Sequence, residues 1–100
     1  MTKDEAKYQA DVRELGCIIC YLQGHPGTPC AIHHLIAGGR RIGEKSVLGL
    51  CDPGHHQNPQ KGSGKIARHP TKAQFEKAYG TEGDLLRITQ SIVERLNETV

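Results

Sequence analysis

Tryptophan is missing from this 100-residue chain, and Phe and Tyr together supply only 4 residues, so large side chains for an apolar core are scarce. No apolar run approaches the roughly 20 residues that a membrane-spanning helix requires. The opening stretch MTKDEAKYQADVRE is charged and has no hydrophobic segment of the signal-peptide kind, so a soluble, cytoplasmic protein is expected. Charge of one sign is lacking too. The 13 Lys plus Arg residues stand against 11 Asp plus Glu, a formal +2, too little to indicate a nucleic-acid binder from net charge alone. No internal repeat, low-complexity tract, Gly-rich phosphate loop or Ser/His/Asp order stands out. The length suits one domain over residues 1–100.

What the chain does have is 4 Cys and 6 His, all but His69 lying between Cys17 and His56. In an oxidising compartment four cysteines would suggest two disulfides with three possible connectivities; without an export signal the thiols stay reduced. A redox Cys-x-x-Cys would want a strand-to-helix context, which Gly24, Pro26, Gly27 and Pro29 do not offer. Metal is the leading reading. Cys17-x2-Cys20 places two thiolates on one turn, and Cys51-x3-His55 offers a second pair of the kind that closes a tetrahedral Zn2+ site. Four protein ligands leave no open position, so such a zinc would be structural and would substitute for the thin core. Cys30 is left over and is expected to be a buried, inert thiol.

Elsewhere the pattern gives a mixed α and β chain. Tyr8, Val12 and Leu15 recur at helical spacing among charged neighbours, predicting a helix from Lys3 to Leu15 that Gly16 ends. Gly16 to Pro29 predicts a knuckle and an irregular loop. Cys30 to Ile36 predicts a strand cut off by Ala37-Gly38-Gly39-Arg40-Arg41, and Ser46 to Leu50 a second strand that forms a hairpin with it. Gln57 to Lys65 carries no apolar residue and should be an exposed loop. Thr71 can cap a helix bearing Phe75 and Tyr79 before Gly80. Thr81-Glu82-Gly83-Asp84 has capping-box spacing, followed by an apolar stripe of Leu85, Ile88, Ile92 and Leu96.

The histidine doublets carry the remaining chemistry. On a strand, the side chains of His33 and His34 point to opposite faces, so one ring could bind a metal while the other serves as a general base. One core and one solvated histidine is the plainer alternative. If His55 closes the zinc site, His56 is free to face inward, and His33, His56 and His69 could form a second, open metal site suited to hydrolysis. Arg40, Arg41 and Lys45 follow the first doublet, and Lys61, Lys65 and Arg68 precede His69; these six could grip DNA phosphates or simply be solvated.

Taken together, Cys17-x2-Cys20, a strand with His33-His34, and a second strand into Leu50-Cys51 before His55-His56 resemble the ββα-metal, or HNH, nucleases. More closely, Ile32-His33-His34-Leu35, Gly39-Arg40-Arg41, Leu50-Cys51-x3-His55-His56 and His69-x5-Phe75-Glu76-x2-Tyr79-Gly80-Thr81-Glu82-x2-Leu85 resemble the phage Ref (recombination enhancement function) family of RecA-dependent nucleases. The resemblance implies an α+β fold, a small zinc-stabilised ββα-metal core flanked by N- and C-terminal helices. It implies His34 as general base on a DNA phosphodiester. It gives the catalytic divalent cation, Mg2+, Mn2+ or Zn2+, to His33, His56 and His69, and structural zinc to Cys17, Cys20, Cys51 and His55. DNA as substrate, a RecA filament as partner and a phage or prophage origin in a bacterial host follow from the same resemblance. Many HNH proteins orient the base with an Asn before the second strand; Ile42 to Val47 has none, so a backbone carbonyl is expected to serve. Two other readings would use the same residues, a zinc-stapled DNA- or protein-binding module without catalysis and a redox or zinc-storage protein.

Overall fold

The computed structural model describes residues 1–98. It has four helices and four short strands: α1 (Lys3–Leu15), α2 (Ile18–Leu22), β1 (Ala31–His34), β2 (Ile36–Ala37), β3 (Arg40–Arg41), β4 (Val47–Leu50), α3 (Lys72–Tyr79) and α4 (Glu82–Glu98). Among the described residues no helix is long and apolar enough to cross a membrane.

The first helix matches its expected bounds because both ends are coded locally. Thr2 and Glu5 form a reciprocal capping box, with Glu5 N–H donating to the Thr2 hydroxyl at 3.1 Å and Thr2 N–H donating to the Glu5 carboxylate at 2.7 Å. At the other end Gly16 N–H bonds the Val12 carbonyl. The expected knuckle after Gly16 is more regular than the sequence suggested. Cys17 caps a short helix, α2, through a 2.8 Å bond from Tyr21 N–H to the Cys17 carbonyl, and Ile18 and Ile19 are buried by it.

β1 and β4 pair antiparallel as the hairpin expected, with His33 opposite Leu48 and His34 opposite Val47. The predicted strand does not run unbroken to Ile36, however. Leu35 interrupts it, and the segment that was to end the strand forms a second small hairpin, β2 on β3, in which Ile36 pairs Arg41 and Ala37 pairs Arg40. Gly38 and Gly39, with φ of 59° and 77°, make the two-residue turn in which both central residues need positive φ. The two glycines thus join strands here.

Every residue of β4 is buried. Against it pack Leu15, Ile18, Phe75 and Leu85 in one cluster, and Val12 and Val93 with Val47 in another. On α4 the buried face is Leu85, Thr89 and Val93, one register round from the predicted stripe: Ile88 is 37% exposed and Leu96 52%. Thr89 tolerates full burial because its hydroxyl donates to the Leu85 carbonyl at 2.9 Å. Thr71 stands at the start of α3 but does not cap it; its hydroxyl donates to the Ala67 carbonyl instead. At α4 the predicted cap is half present, with Asp84 N–H donating to the Thr81 hydroxyl.

Candidate functional site

The first doublet sits on β1, where the pleat sends adjacent side chains apart. His33 is 5% exposed and lies with its ring centroid 5.4 Å from that of His56 and 5.2 Å from that of His69. His34 faces elsewhere, its Nε2 3.3 Å from the Glu44 carboxylate. The carboxylate takes the place expected of a backbone carbonyl: the carbonyl reading rested on the lack of Asn between Ile42 and Val47, but Glu44 lies within that stretch and reaches the ring.

The second doublet divides as well. His55 is fully buried and turns Nδ1 toward three sulfurs, at 3.4 Å from Cys17 Sγ, 3.6 Å from Cys20 Sγ and 3.3 Å from Cys51 Sγ. Cys20 and Cys51 Sγ are 3.9 Å apart. A tetrahedral zinc with bonds of about 2.3 Å to sulfur and 2.0 Å to nitrogen would hold such atoms roughly 3.5 to 3.8 Å apart, so the observed spacing fits that ion. These four buried residues could hold a metal such as zinc. The packing leaves little slack: a Cβ on Gly54 would lie 2.6 Å from Cys51 Sγ, so only glycine passes the chain so close to the sulfur.

The electrostatics of the cluster are uneven. Burial pushes the Cys17 thiol up to about 12 and, with the nearby charge of Lys65, holds the His55 ring down at about 4. At Cys51 burial acts upward too, but the His55 N–H and the Lys65 ammonium, each 3.3 Å from the sulfur, bring the thiol below its ordinary value. The cluster therefore presents a neutral imidazole nitrogen and one sulfur primed to be thiolate.

His56 and His69 are brought together by a return of the chain. After the exposed stretch, Arg68 N–H donates to the His55 carbonyl at 2.7 Å and His69 N–H to the His56 carbonyl at 3.0 Å, so residues 68 and 69 run alongside the second doublet. His33, His56 and His69 each offer a ligand atom, all within 4.8 Å of one another. Carboxylates surround them. Asp52 lies 3.1 Å from His56 Nδ1 and Glu82 lies 3.4 Å from His33 Nε2. Burial acts to raise the Glu82 carboxyl, but hydrogen bonds from His33 and Arg68 and the charge of Arg68 overcome it and hold the group down at about 2. Burial and the Arg68 charge lower the His69 ring, keeping it in the neutral form a metal needs.

The sequence reading missed Glu44, Asp52, Glu82 and Gln9. Carboxylates are common on surfaces, and only the folded chain shows which of them meet an imidazole. Of the six basic residues singled out, Arg40, Arg41, Lys45 and Lys61 are exposed, Lys45 pairing with an exposed Asp4. The other two are engaged: Lys65 with Cys51, and Arg68 with Glu82 in a pair 16% and 12% exposed. Cys30 is half-buried against the core, with burial raising its thiol.

No curated protein matches the chain. Residues 1–94 match the family model described as "Recombination enhancement, RecA-dependent nuclease".

Proposed function

The chain belongs to the recombination-enhancement family of RecA-dependent nucleases, and we propose from that membership and from the site that it is a metal-dependent DNA endonuclease of the ββα-metal, or HNH, type. The observation that carries this reading is the convergence of His33, His56 and His69, drawn from β1, the turn after β4 and the segment before α3, next to a second, four-ligand cluster. Three imidazole ligands would leave coordination positions for water and a phosphate oxygen, as metal-assisted hydrolysis requires. Imidazole donors favour Zn2+ or another transition ion over Mg2+, which prefers oxygen. Bound there, the cation would neutralise the scissile phosphate and stabilise the leaving 3′ oxygen.

The protein's own groups supply the rest. His34, 16% exposed and next to His33 on β1 but outside the cluster, takes a proton from water as the water oxygen bonds to phosphorus and the 3′ oxygen departs. Asp52, beside Nδ1 of His56, and Glu82, beside Nε2 of His33, would orient these two rings for a bound cation. Cys17, Cys20, Cys51 and His55 hold structural zinc. Of the six basic residues, Arg40, Arg41, Lys45 and Lys61 are the exposed cations for DNA phosphates. With so few contacts, binding to bare DNA is weak and salt-sensitive, and a RecA filament supplies the recruitment.

The test is cleavage of DNA by the zinc-loaded chain with Mn2+ or Zn2+, with and without RecA and ATP. Strong stimulation by RecA is expected, together with two metals per chain. His34→Ala should keep both metals and cut about 100-fold more slowly or worse. One metal per chain and no cleavage under any condition would favour the zinc-stapled binding module. Efficient cutting of bare DNA at physiological salt, unchanged by RecA, would remove the recruitment while leaving the chemistry.

A further inference from the structure

We propose that Glu44 is the positioning residue for His34, and that Gln9 of α1 in turn holds Glu44, so that a three-residue relay from the first helix fixes which nitrogen of the His34 ring is free. The inference rests on the nuclease reading for its consequence but not for its geometry.

A neutral imidazole carries one proton on two nitrogens, and its chemistry depends on which nitrogen has it. The ionised Glu44 carboxylate can only accept, so the 3.3 Å contact at Nε2 places the proton there. Nδ1 is then the lone pair available to take a proton from water. Without a partner at Nε2, both tautomers would be populated and part of the protein would present an N–H where a base is needed.

Glu44 precedes β4 in a turn, where a side chain 35% exposed would sample many rotamers if unrestrained. Gln9 restrains it. Its Nε2 donates to the Glu44 carboxylate at 3.0 Å and to the Glu44 carbonyl at 2.8 Å, fixing side chain and backbone together. This accounts for a feature of α1 that packing does not explain. Gln9 is 4% exposed, on the same helix as the apolar Val12 and Leu15. A buried amide costs stability unless its hydrogen bonds are made, and here both donations go to one residue. The 13-residue helix, capped at its N-terminus, gives the relay a rigid base. The hydrogen bonds with His34 and Gln9, and after them the Arg41 charge, hold the Glu44 carboxyl below its ordinary value.

The experiment reads the tautomer directly and the reaction separately, on the full zinc-loaded chain. Long-range 15N–1H spectra at a pH where His34 is neutral should show the Nε2–H form in the wild type. In Glu44→Ala they should show a mixture, with kcat for DNA cleavage down about 10- to 100-fold, KM changed less than twofold and metal content unaltered. Glu44→Gln, whose amide oxygen still accepts from Nε2, should restore the tautomer and most of kcat. Gln9→Met, which loosens Glu44 without removing it, should give a smaller loss. A wild-type ring in the Nδ1–H form, or a Glu44→Ala protein with unchanged tautomer and unchanged kcat, would overturn the proposal. If the wild type cuts no DNA, the nuclease reading falls, and the spectra still decide whether Glu44 and Gln9 set the ring. Should Glu44→Ala fail to fold, the Gln and Gln9 variants decide the question by the same two readouts.

Discussion

All four residues of the cysteine-histidine cluster are buried, whereas His33 alone of the three-histidine cluster is; His56 and His69 keep part of their surface in solvent. The first cluster consists of three thiols and one ring. The second has three rings and an outer layer of carboxylates, Asp52 and Glu82, that the first lacks. One peptide bond, between His55 and His56, separates them. The proposed division between a structural and a catalytic metal therefore rests on the number of residues each cluster offers, on their burial and on the groups behind them.

The largest test of this contrast compares ligand loss in the two clusters. Structural zinc in small domains contributes on the order of 10 kcal/mol, and a whole domain is stable by about 5 to 15 kcal/mol. The burial of Phe75, the chain's sole Phe, adds only about 1.5 to 3 kcal/mol and cannot compensate. Cys17→Ser, or a strong chelator, should therefore abolish the cooperative melt and the amide-exchange protection of residues 16–56. His69→Ala should keep the melt and lose one metal per chain. Equal loss of structure in both would erase the distinction.

Acid should separate the clusters less sharply. In the folded chain burial holds the His55 ring near 4, against an ordinary 6.5. Between those values the unfolded chain binds a proton that the folded chain refuses, so stability present above about pH 6.5 declines as the pH falls toward 4 and levels off below. Denaturation midpoints measured from pH 7 to pH 4 should fall in that window. A flat profile would show that His55 is not held as described.

The smallest effect concerns the carboxylate layer. Glu82→Gln keeps hydrogen bonds available to His33 and Arg68 but removes the charge. Metal affinity at the three-histidine cluster should weaken about 10- to 100-fold, with the cysteine-histidine cluster unaffected. Competition titrations against a chromogenic chelator measure both. Unchanged affinity at the second cluster would reduce Glu82 to a partner for Arg68.

Both groupings of Cys and His side chains were legible because metal chemistry needs specific residue types, and Cys and His are concentrated between Cys17 and His69. The helix from Lys3 and the pairing of β1 with β4 were legible from local caps and from apolar runs. The groups behind the rings were not. Glu44 lies 10 residues from His34 and Glu82 lies 49 from His33, and nothing in the spacing of either carboxylate marks it apart from the others. Periodicity placed Leu85 and Ile92 of α4 against the core but also counted Ile88 and Leu96, which are exposed, and left out Thr89 and Val93, which are buried. The small β2–β3 hairpin was hidden because Gly38-Gly39 signals a break and a tight turn equally well.

The doublets make the layout unusually sensitive to chain length. At 33–34 and again at 55–56, a displacement of one position exchanges a ring that belongs to one environment for a ring that belongs to another. Substitution at a loop residue changes one contact, but deleting a single residue between Cys51 and His55 would bring His56 to the place of His55 and Gln57 to that of His56, altering both clusters at once. The five residues between Leu50 and His56 therefore act as a ruler fixed in count, with Cys51, Asp52, Gly54 and His55 each tied to a contact of its own.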